Sequence, residues 1–120
     1  MARPLVVKVT CGADDAERCN QGFTVAATAV AAGAEVSLWL TGEAAWFGVP
    51  GRAEEFALPE AMPLAELLEA VLVGGRVTVC TQCAARRGIG ADDVRAGVRI
   101  AGAAVFTEEA LTEGIQALVY

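Results

Sequence analysis

Histidine is missing from the 120-residue sequence, and its absence excludes several common kinds of catalytic site. Serine and cysteine nucleophiles that need a histidine base are excluded, and so is any metal site that needs an imidazole ligand. The sequence also has neither a Gly-x-Gly-x-x-Gly motif after its first predicted strand nor a phosphate-loop motif. We therefore expect no nucleotide site of either type.

Basic residues are scarce as well. The nine lysines and arginines are outnumbered by fifteen aspartates and glutamates, which gives a formal net charge of −6. A chain with this balance has little general affinity for nucleic acid or for an anionic membrane surface. We expect neither of them as a partner.

Long apolar runs are also missing. No segment approaches the ~18 uncharged apolar residues of a membrane span. Residues 1–4 lead into strand-like sequence without the apolar core of a signal peptide, and the composition does not change along the chain. We therefore expect one domain over residues 1–120, located in the cytoplasm. In a reducing compartment, four cysteines indicate redox, sulfur or metal chemistry more often than a disulfide framework.

Strand and helix patterns alternate along the chain. Runs rich in β-branched residues predict five strands, at residues 5–11, 35–41, 77–80, 98–101 and 115–120. Apolar spacing, caps and terminal glycines predict helices at residues 16–32, 64–73 and 107–113, with a loop or helical turn at 42–48 and a helical turn after Cys80. This alternation predicts an α/β fold with a mainly parallel sheet. The apolar fraction of 55% exceeds the usual ~45–50%, which indicates a sheet covered on both faces or a subunit interface.

Active sites of such sheets collect beyond the carboxyl ends of the strands. Cys11 and Cys80 both end predicted strands, and a site would draw on both of them if their strands lay close together. Cys19 is different, because it belongs to an apolar stripe with Phe23 and Ala26 at helical spacing. We expect Cys19 to pack in the core.

Cys80 and Cys83 form a Cys-x-x-Cys pair where a predicted strand runs into a helical turn. The free N–H groups of a first helical turn and the helix dipole both favour a thiolate at such a junction. On helical geometry, Arg86 and Arg87 stand three and four residues beyond Cys83, so at least one of them can lie near it.

Three kinds of cysteine chemistry fit these residues, and a non-catalytic interaction module is a fourth hypothesis. Cys80 could accept a sulfur atom as a persulfide, which needs a partly exposed thiolate and donors for the anionic sulfur. Cys80 and Cys83 could instead cycle between dithiol and disulfide, although the pair lacks the intervening proline often found in such motifs. Finally, all four cysteines could hold zinc or an iron–sulfur cluster, although one Cys-x-x-Cys with two loosely spaced cysteines is a weak motif. Those four cysteines are Cys11, Cys19, Cys80 and Cys83.

The segment at residues 79–89 resembles the DsrE/DsrF-like family of small sulfur-relay proteins. It reads Val79-Cys80-Thr81-Gln82-Cys83-Ala84-Ala85-Arg86-Arg87-Gly88-Ile89. This segment is similar to the Val-Cys-x-x-Ala-Ala-x-Arg-Arg-Gly segment of TusD-type members, in which the cysteine carries the sulfur. Cys80 falls on that position without a gap, whereas Cys83 stands where the TusD-type segment has another residue.

The resemblance implies a three-layer α/β/α sandwich on a five-stranded parallel sheet in the order 4-3-2-1-5. It also implies a homotrimer or hexamer whose partners are sulfur-donor and sulfur-acceptor proteins, with no cofactor and no metal. Cys80 would be the persulfide carrier and Cys83 would modulate or resolve it, in a sulfurtransferase or in a carrier without turnover of its own. The supporting candidates are Thr81, Arg86, Arg87 and Cys11.

Overall fold

The computed structural model of the protein describes residues 3–120. Met1 and Ala2, which begin the segment where we expect no signal peptide, lie outside the described residues. Within residues 3–120, the strands are β1 (Leu5–Val9), β2 (Val36–Leu40), β3 (Arg76–Cys80), β4 (Val98–Ala101) and β5 (Gln116–Val119). The α-helices of the same residues are α1 (Ala16–Ala31), α2 (Arg52–Glu55), α3 (Leu64–Gly74), α4 (Thr81–Arg86) and α5 (Ala103–Leu111). Short 3-10 helices lie at Ala13–Asp15, Gly42–Gly48 and Ala91–Asp93.

The five strands of residues 3–120 form one parallel sheet in the order β4-β3-β2-β1-β5. This arrangement confirms the predicted α/β fold and strand order. The central strand, β2, is buried along all five of its residues, as expected for a parallel strand whose sheet carries helices on both faces.

One face of the sheet packs against α1 and α3. Leu38 and Val77 share this face, since the register pairs them directly. They belong to one hydrophobic core with Phe23 from α1 and Leu68 from α3, and all four side chains are 0% exposed. Burying each large apolar side chain of this kind stabilises the fold by about 1.5–3 kcal/mol. Cys19 lies in the same core, as its helical spacing predicts.

The opposite face carries α5 and a polar network. Phe106 of α5 packs edge to face on Trp39, with ring centroids 5.4 Å apart. Glu109 of α5 accepts hydrogen bonds from Ser37 Oγ at 2.6 Å and from Trp39 Nε1 at 3.1 Å, and it pairs with Arg99. Burial acts to raise the pKa of Glu109, but these contacts hold the pKa below its ordinary value. Charged hydrogen bonds therefore attach α5 to the sheet, since this helix has no fully buried residue.

The predicted elements differ from the structure mainly at α5. We predict a helix that begins at Thr107, but α5 begins at Ala103, directly after Gly102. The prediction is wrong because alanine is a strong helix former, so the helix starts as soon as β4 ends. The helix α2 has no counterpart among the predicted elements, whereas the 3-10 helix Gly42–Gly48 confirms the helical turn. In residues 3–120, no helix combines the length and the apolar character needed to cross a membrane.

Candidate functional site

Cys80 lies at the junction between β3 and α4. The strand is held in the sheet by Val77, Thr78 and Val79, which are all 0% exposed. Cys80 keeps an extended backbone, with φ −64° and ψ 129°, and Thr81 is the first residue of the helix. Thr81 is exposed, and its hydroxyl faces the end of β4. Cys80 is half-buried whereas the other three cysteines are buried, so its thiol is the accessible one.

The surroundings of Cys80 favour its thiolate. Burial acts to raise the pKa of the thiol, yet the other contacts hold the pKa below its ordinary value. Hydrogen bonds from the backbone N–H and the thiol of Cys83 and from the N–H of Gln82 stabilise the anion, and the positive charge of Lys8 adds to them. Because the thiolate is the nucleophilic form, these contacts favour nucleophilic chemistry at Cys80.

Cys83 lies behind Cys80 on the inner side of α4 and is 9% exposed. Its Sγ accepts a hydrogen bond from the Gly42 N–H at 3.2 Å. Gly42 has a φ of 53°, and a Cβ at this position would collide with the Thr10 carbonyl oxygen, so the turn requires glycine. The segment after β2 therefore reaches the Cys-x-x-Cys helix through a backbone that only glycine fits.

Arg87 lies beside Cys83, as the helical spacing predicts, but it contacts the carbonyl group. Its Nη1 donates to the Cys83 oxygen at 3.1 Å, while Nε and Nη2 lie 2.9 and 2.7 Å from Glu43 Oε2. Arg86 is exposed. Neither arginine is among the described groups that lower the pKa of Cys80, whereas Lys8 is. Lys8 is thus a positive charge that acts on Cys80 and that the sequence analysis does not name, and the roles of Arg86 and Arg87 stay predictions.

Cys11 belongs to the core and not to the accessible surface at Cys80, and its supporting role stays a prediction. β1 ends at Val9, before Cys11, and β2 separates β1 from β3 in the sheet. Cys11 is 6% exposed and belongs to the hydrophobic core. Burial first, and then Asp15 and Asp14, raise the pKa of its thiol.

The four cysteines do not form a metal site. Cys11 and Cys19 are neighbours in the core, whereas Cys80 and Cys83 lie together at the start of α4. Among the residues that the structure describes, no group of three or more histidine, cysteine, aspartate or glutamate side chains is placed to hold a metal ion. The four-thiolate hypothesis is wrong.

Lys8 is the residue that sequence analysis misses. It lies on β1, in a row of paired residues that continues through Trp39 and Thr78 to Arg99. The signal that could have found it is that Lys8 is the only lysine of the sequence and interrupts an apolar strand. Its relation to Cys80 depends on the order of the strands, which no local pattern contains.

A cleft of about 630 Å³ lies at the opposite end of the sheet. Its lining includes Ser37, Arg76 and Glu109, near the amino ends of the strands and the carboxyl end of α5. Neither Cys80 nor Cys83 lines this cleft. The cleft and the reactive thiol are therefore separate features of the molecule.

Comparison with known proteins gives both a family and a fold. The model of the DsrE/DsrF-like family matches residues 5–118. None of the curated proteins compared with the chain matches it.

Several solved structures share the fold. The ychN protein from E. coli is similar, with a TM-score of 0.82 and 18% identity, over 99% of this chain and 100% of that chain. The protein of unknown function MTH1491 from Methanobacterium thermoautotrophicum has a TM-score of 0.70 and 13% identity, over 99% and 100% of the two chains. BT1422 from Bacteroides thetaiotaomicron, a conserved protein of unknown function, has a TM-score of 0.61 and 15% identity, over 98% and 95%. At these identities the likeness establishes the fold alone.

Proposed function

The chain belongs to the DsrE/DsrF-like family, and from this membership we propose that it is a sulfur carrier that holds sulfur as a persulfide on Cys80. The observation that carries the proposal is the Cys80 thiol, which is half-buried at the end of β3 and has a pKa below its ordinary value, since hydrogen-bond donors outweigh burial. A persulfide carrier needs an accessible thiolate, donors for the anionic sulfur and partial shelter from solvent. The surroundings of Cys80 supply all three.

The transfer consists of two thiol exchange steps. In the first step, the Cys80 thiolate attacks the outer sulfur of a donor persulfide and forms a sulfur–sulfur bond, while the donor cysteine leaves as a thiolate. In the second step, an acceptor thiolate attacks the outer sulfur held by Cys80, and Cys80 leaves as a thiolate. No electrons are gained or lost overall. A low pKa at Cys80 assists the second step, because a more acidic thiol is a better leaving group.

We also propose sulfur-donor and sulfur-acceptor proteins as partners, a homotrimer or hexamer as the assembled form and the cytoplasm as the location. Large apolar side chains that are well exposed support an interface between subunits. They are Met62, Val73, Leu111 and Val119. The likeness of residues 79–89 to TusD-type members stays a prediction.

Persulfide loading tests the proposed carrier. The reduced protein is incubated with a cysteine desulfurase and free cysteine, and its intact mass is measured. We expect a gain of about 32 Da, the mass of one sulfur, that is lost in Cys80→Ser and kept in Cys83→Ser. Cys11→Ser is the matched control, because Cys11 also follows a strand but is buried, and this variant should gain the same mass. A gain that survives Cys80→Ser would contradict the proposal.

A thiol–disulfide role is the second candidate function, and the contact between the two thiols favours it. Cys80 and Cys83 lie at the start of α4, and the Cys83 thiol is among the donors that lower the pKa of Cys80, so the two thiols are neighbours. On this hypothesis, the two thiols together give two electrons and two protons to an oxidant and form one disulfide bond. A mild oxidant should then lower the mass by about 2 Da, and a dithiol reductant should restore it. Two thiols that stay free under oxidant would exclude this role.

The remaining hypothesis is a non-catalytic interaction module. It gains support only if Cys80→Ser changes neither the loading with sulfur nor the response to oxidant. The same two measurements therefore separate all three functions.

A further inference from the structure

Lys8 and Cys80 face the same side of the sheet. The register places Lys8 beside Trp39 and Trp39 beside Thr78. Side chains alternate between the two faces along a strand, so Cys80 shares the face of Thr78 and therefore that of Lys8. Two strand spacings, about 10 Å in total, separate β1 from β3, and Cys80 lies two residues beyond the row of Lys8 and Thr78, so the two Cα atoms are about 12 Å apart. An extended lysine side chain spans much of that distance.

Phe106 determines where the Lys8 charge lies. Lys8 Nζ is 4.7 Å from the centroid of the Phe106 ring, which is a cation–π contact. The ring is itself held by its edge-to-face contact with Trp39. Because Lys8 is half-buried, its charge is screened less by salt than that of a surface lysine.

Two arginines on this face share one carboxylate. Arg99 of β4 pairs with Glu109 of α5, and Arg76 of β3 lies 3.9 Å from the same carboxylate. From α4, the titratable group that faces Cys80 is the Cys83 thiol. Within residues 3–120, no carboxylate lies within ion-pair distance of Lys8. In this part of the chain, Lys8 is thus a cation on the Cys80 face without an acidic partner, whereas Arg76 and Arg99 share one.

We propose that Lys8 is a positioning residue of the Cys80 site, whose ammonium group stabilises the anionic sulfur first as the thiolate and then as the persulfide. The stabilisation of the persulfide rests on the proposed function, whereas the stabilisation of the thiolate does not. An opposite charge on the same face favours the charged form of a thiol, and this effect decreases with distance. Because Cys80 is partly exposed to solvent, the effect should weaken as salt is added.

The test is the pH profile of Cys80 alkylation. The native protein and Lys8→Met are alkylated with iodoacetamide over a range of pH, and Cys80 is followed by peptide mass spectrometry. We expect Lys8→Met to raise the midpoint by about 0.5–1 pH unit and to slow alkylation at neutral pH about three- to tenfold. Lys8→Arg keeps the charge and should keep the native profile. The difference between the native protein and Lys8→Met should shrink at about 1 M salt.

Arg52→Met is the matched control. Arg52 also places its cation over an aromatic ring, with Cζ 4.1 Å from the Trp46 centroid, but it belongs to α2 and is not among the groups that act on the Cys80 pKa. This variant should leave the profile unchanged. Lys8→Gln serves as a second neutral variant if Lys8→Met does not fold.

Two outcomes would overturn the inference. A profile of the neutral variants that overlays the native one shows that the Lys8 charge does not reach the sulfur. A shift that Lys8→Arg fails to remove shows that packing and not charge is responsible. Alkylation needs no sulfur donor. If Lys8→Met shifts the alkylation profile but the native protein takes up no sulfur, only the proposed function is contradicted. If the native protein takes up sulfur but Lys8→Met leaves the alkylation profile unchanged, only the role of Lys8 is contradicted.

Discussion

The two pairs of cysteines in this protein have opposite surroundings. Cys11 and Cys19 are buried in the core, whereas Cys80 is half-buried at the end of β3 with Cys83 behind it. Burial first, and then Cys11 and two aspartates, raise the pKa of Cys19 to about 12. For Cys80, hydrogen bonds and a nearby positive charge outweigh burial and lower the pKa. One fold therefore favours the protonated thiols of Cys11 and Cys19 and the thiolate of Cys80.

The comparison shows that a place at the end of a parallel strand does not by itself make a cysteine reactive. Cys80 ends β3 and Cys11 follows β1, and both strands are interior strands of the sheet. After Cys11, the Gly12 N–H donates to Asp14 Oδ1 at 2.7 Å, so this N–H does not donate to the Cys11 sulfur. The negative charge of Asp14 also raises the pKa of the Cys11 thiol. After Cys80, the backbone N–H groups of Gln82 and Cys83 donate to the Cys80 sulfur itself. The residues that follow the cysteine decide which form is favoured.

Alkylation of the folded protein should separate the two pairs most strongly. Near neutral pH, we expect Cys80 to react with iodoacetamide at least about 100-fold faster than Cys11 or Cys19, because it is more exposed and more ionised. Peptide mass spectrometry after timed quenching measures the rates. In urea-unfolded protein the four cysteines should react at similar rates, which is the control. Equal labelling of Cys11 and Cys80 in the folded protein would contradict the contrast.

Alkaline pH should destabilise the protein through the core pair. The pKa of Cys19 is about 12 in the folded protein against an ordinary value of 9.0, so the unfolded chain ionises first as the pH rises. The stability from the protonated thiol is complete below the ordinary pKa and is lost as the pH rises toward the folded pKa. The loss is at most about 1.4 kcal/mol per pH unit. Urea unfolding at a series of alkaline pH values measures it.

Two variants sharpen the alkaline test. Cys19→Ala should flatten the decline, because it removes the group with the raised pKa. Cys80→Ser should not flatten it, because a lowered pKa acts in the opposite sense: its stability is present above the ordinary pKa and is lost as the pH falls through the folded value. An equally steep decline in Cys19→Ala would show that another group controls alkaline unfolding.

Serine substitution should reduce stability at the core pair and change little at the other pair. Cys19 is 0% exposed, so a hydroxyl at this position should lower the free energy of unfolding by about 1–3 kcal/mol through its desolvation. Cys80→Ser should change it by about 0.5 kcal/mol or less, because Cys80 is partly exposed. Urea denaturation with reductant present measures both variants. A larger loss of unfolding free energy in Cys80→Ser than in Cys19→Ser would contradict the expected difference between the two pairs.

The fold was predictable wherever local pattern and burial agree. The strand at Val98–Ala101 has the predicted bounds, and the stripe that carries Cys19 faces the core. The start of α5 was not predictable, because Thr107 and its acidic neighbours look like a helix start while the helix already runs from Ala103. The Glu109 side chain faces the sheet because its carboxylate contacts Ser37, Trp39 and Arg99. Ser37 and Trp39 are distant from Glu109 in sequence, so no local pattern predicts this orientation.

The candidate site was predictable at Cys80 but not around it. The strand-to-helix junction is local, so sequence locates the thiol and its N–H donors. The charge near the thiol is not local. Helical spacing correctly puts Arg87 next to Cys83, but it does not reveal that the Arg87 guanidinium forms an ion pair with Glu43. Likewise, only the order of β1, β2 and β3 brings Lys8 onto the Cys80 face.

The smallest effect is expected from Arg87→Met, which removes the ion pair with Glu43 and the hydrogen bond to the Cys83 carbonyl. The Arg87 and Glu43 side chains are 18% and 45% exposed, so the loss in unfolding free energy should be about 0.5–1 kcal/mol. Alkylation of Cys80 should stay within about twofold of the native rate, because this guanidinium contacts a peptide oxygen and not the sulfur. Urea denaturation and timed alkylation of the same sample measure the two effects.

Glu43→Gln is the matched control for Arg87→Met, because it removes the same ion pair from the other side. The losses of the two variants should not add in the double variant, since both remove one contact. Should Arg87→Met slow Cys80 alkylation as much as Lys8→Met does, the positive charge would come from the Cys-x-x-Cys helix itself. The contrast between the two cysteine pairs would then depend on the residues that follow each cysteine alone, with no contribution from a strand on the other side of β2.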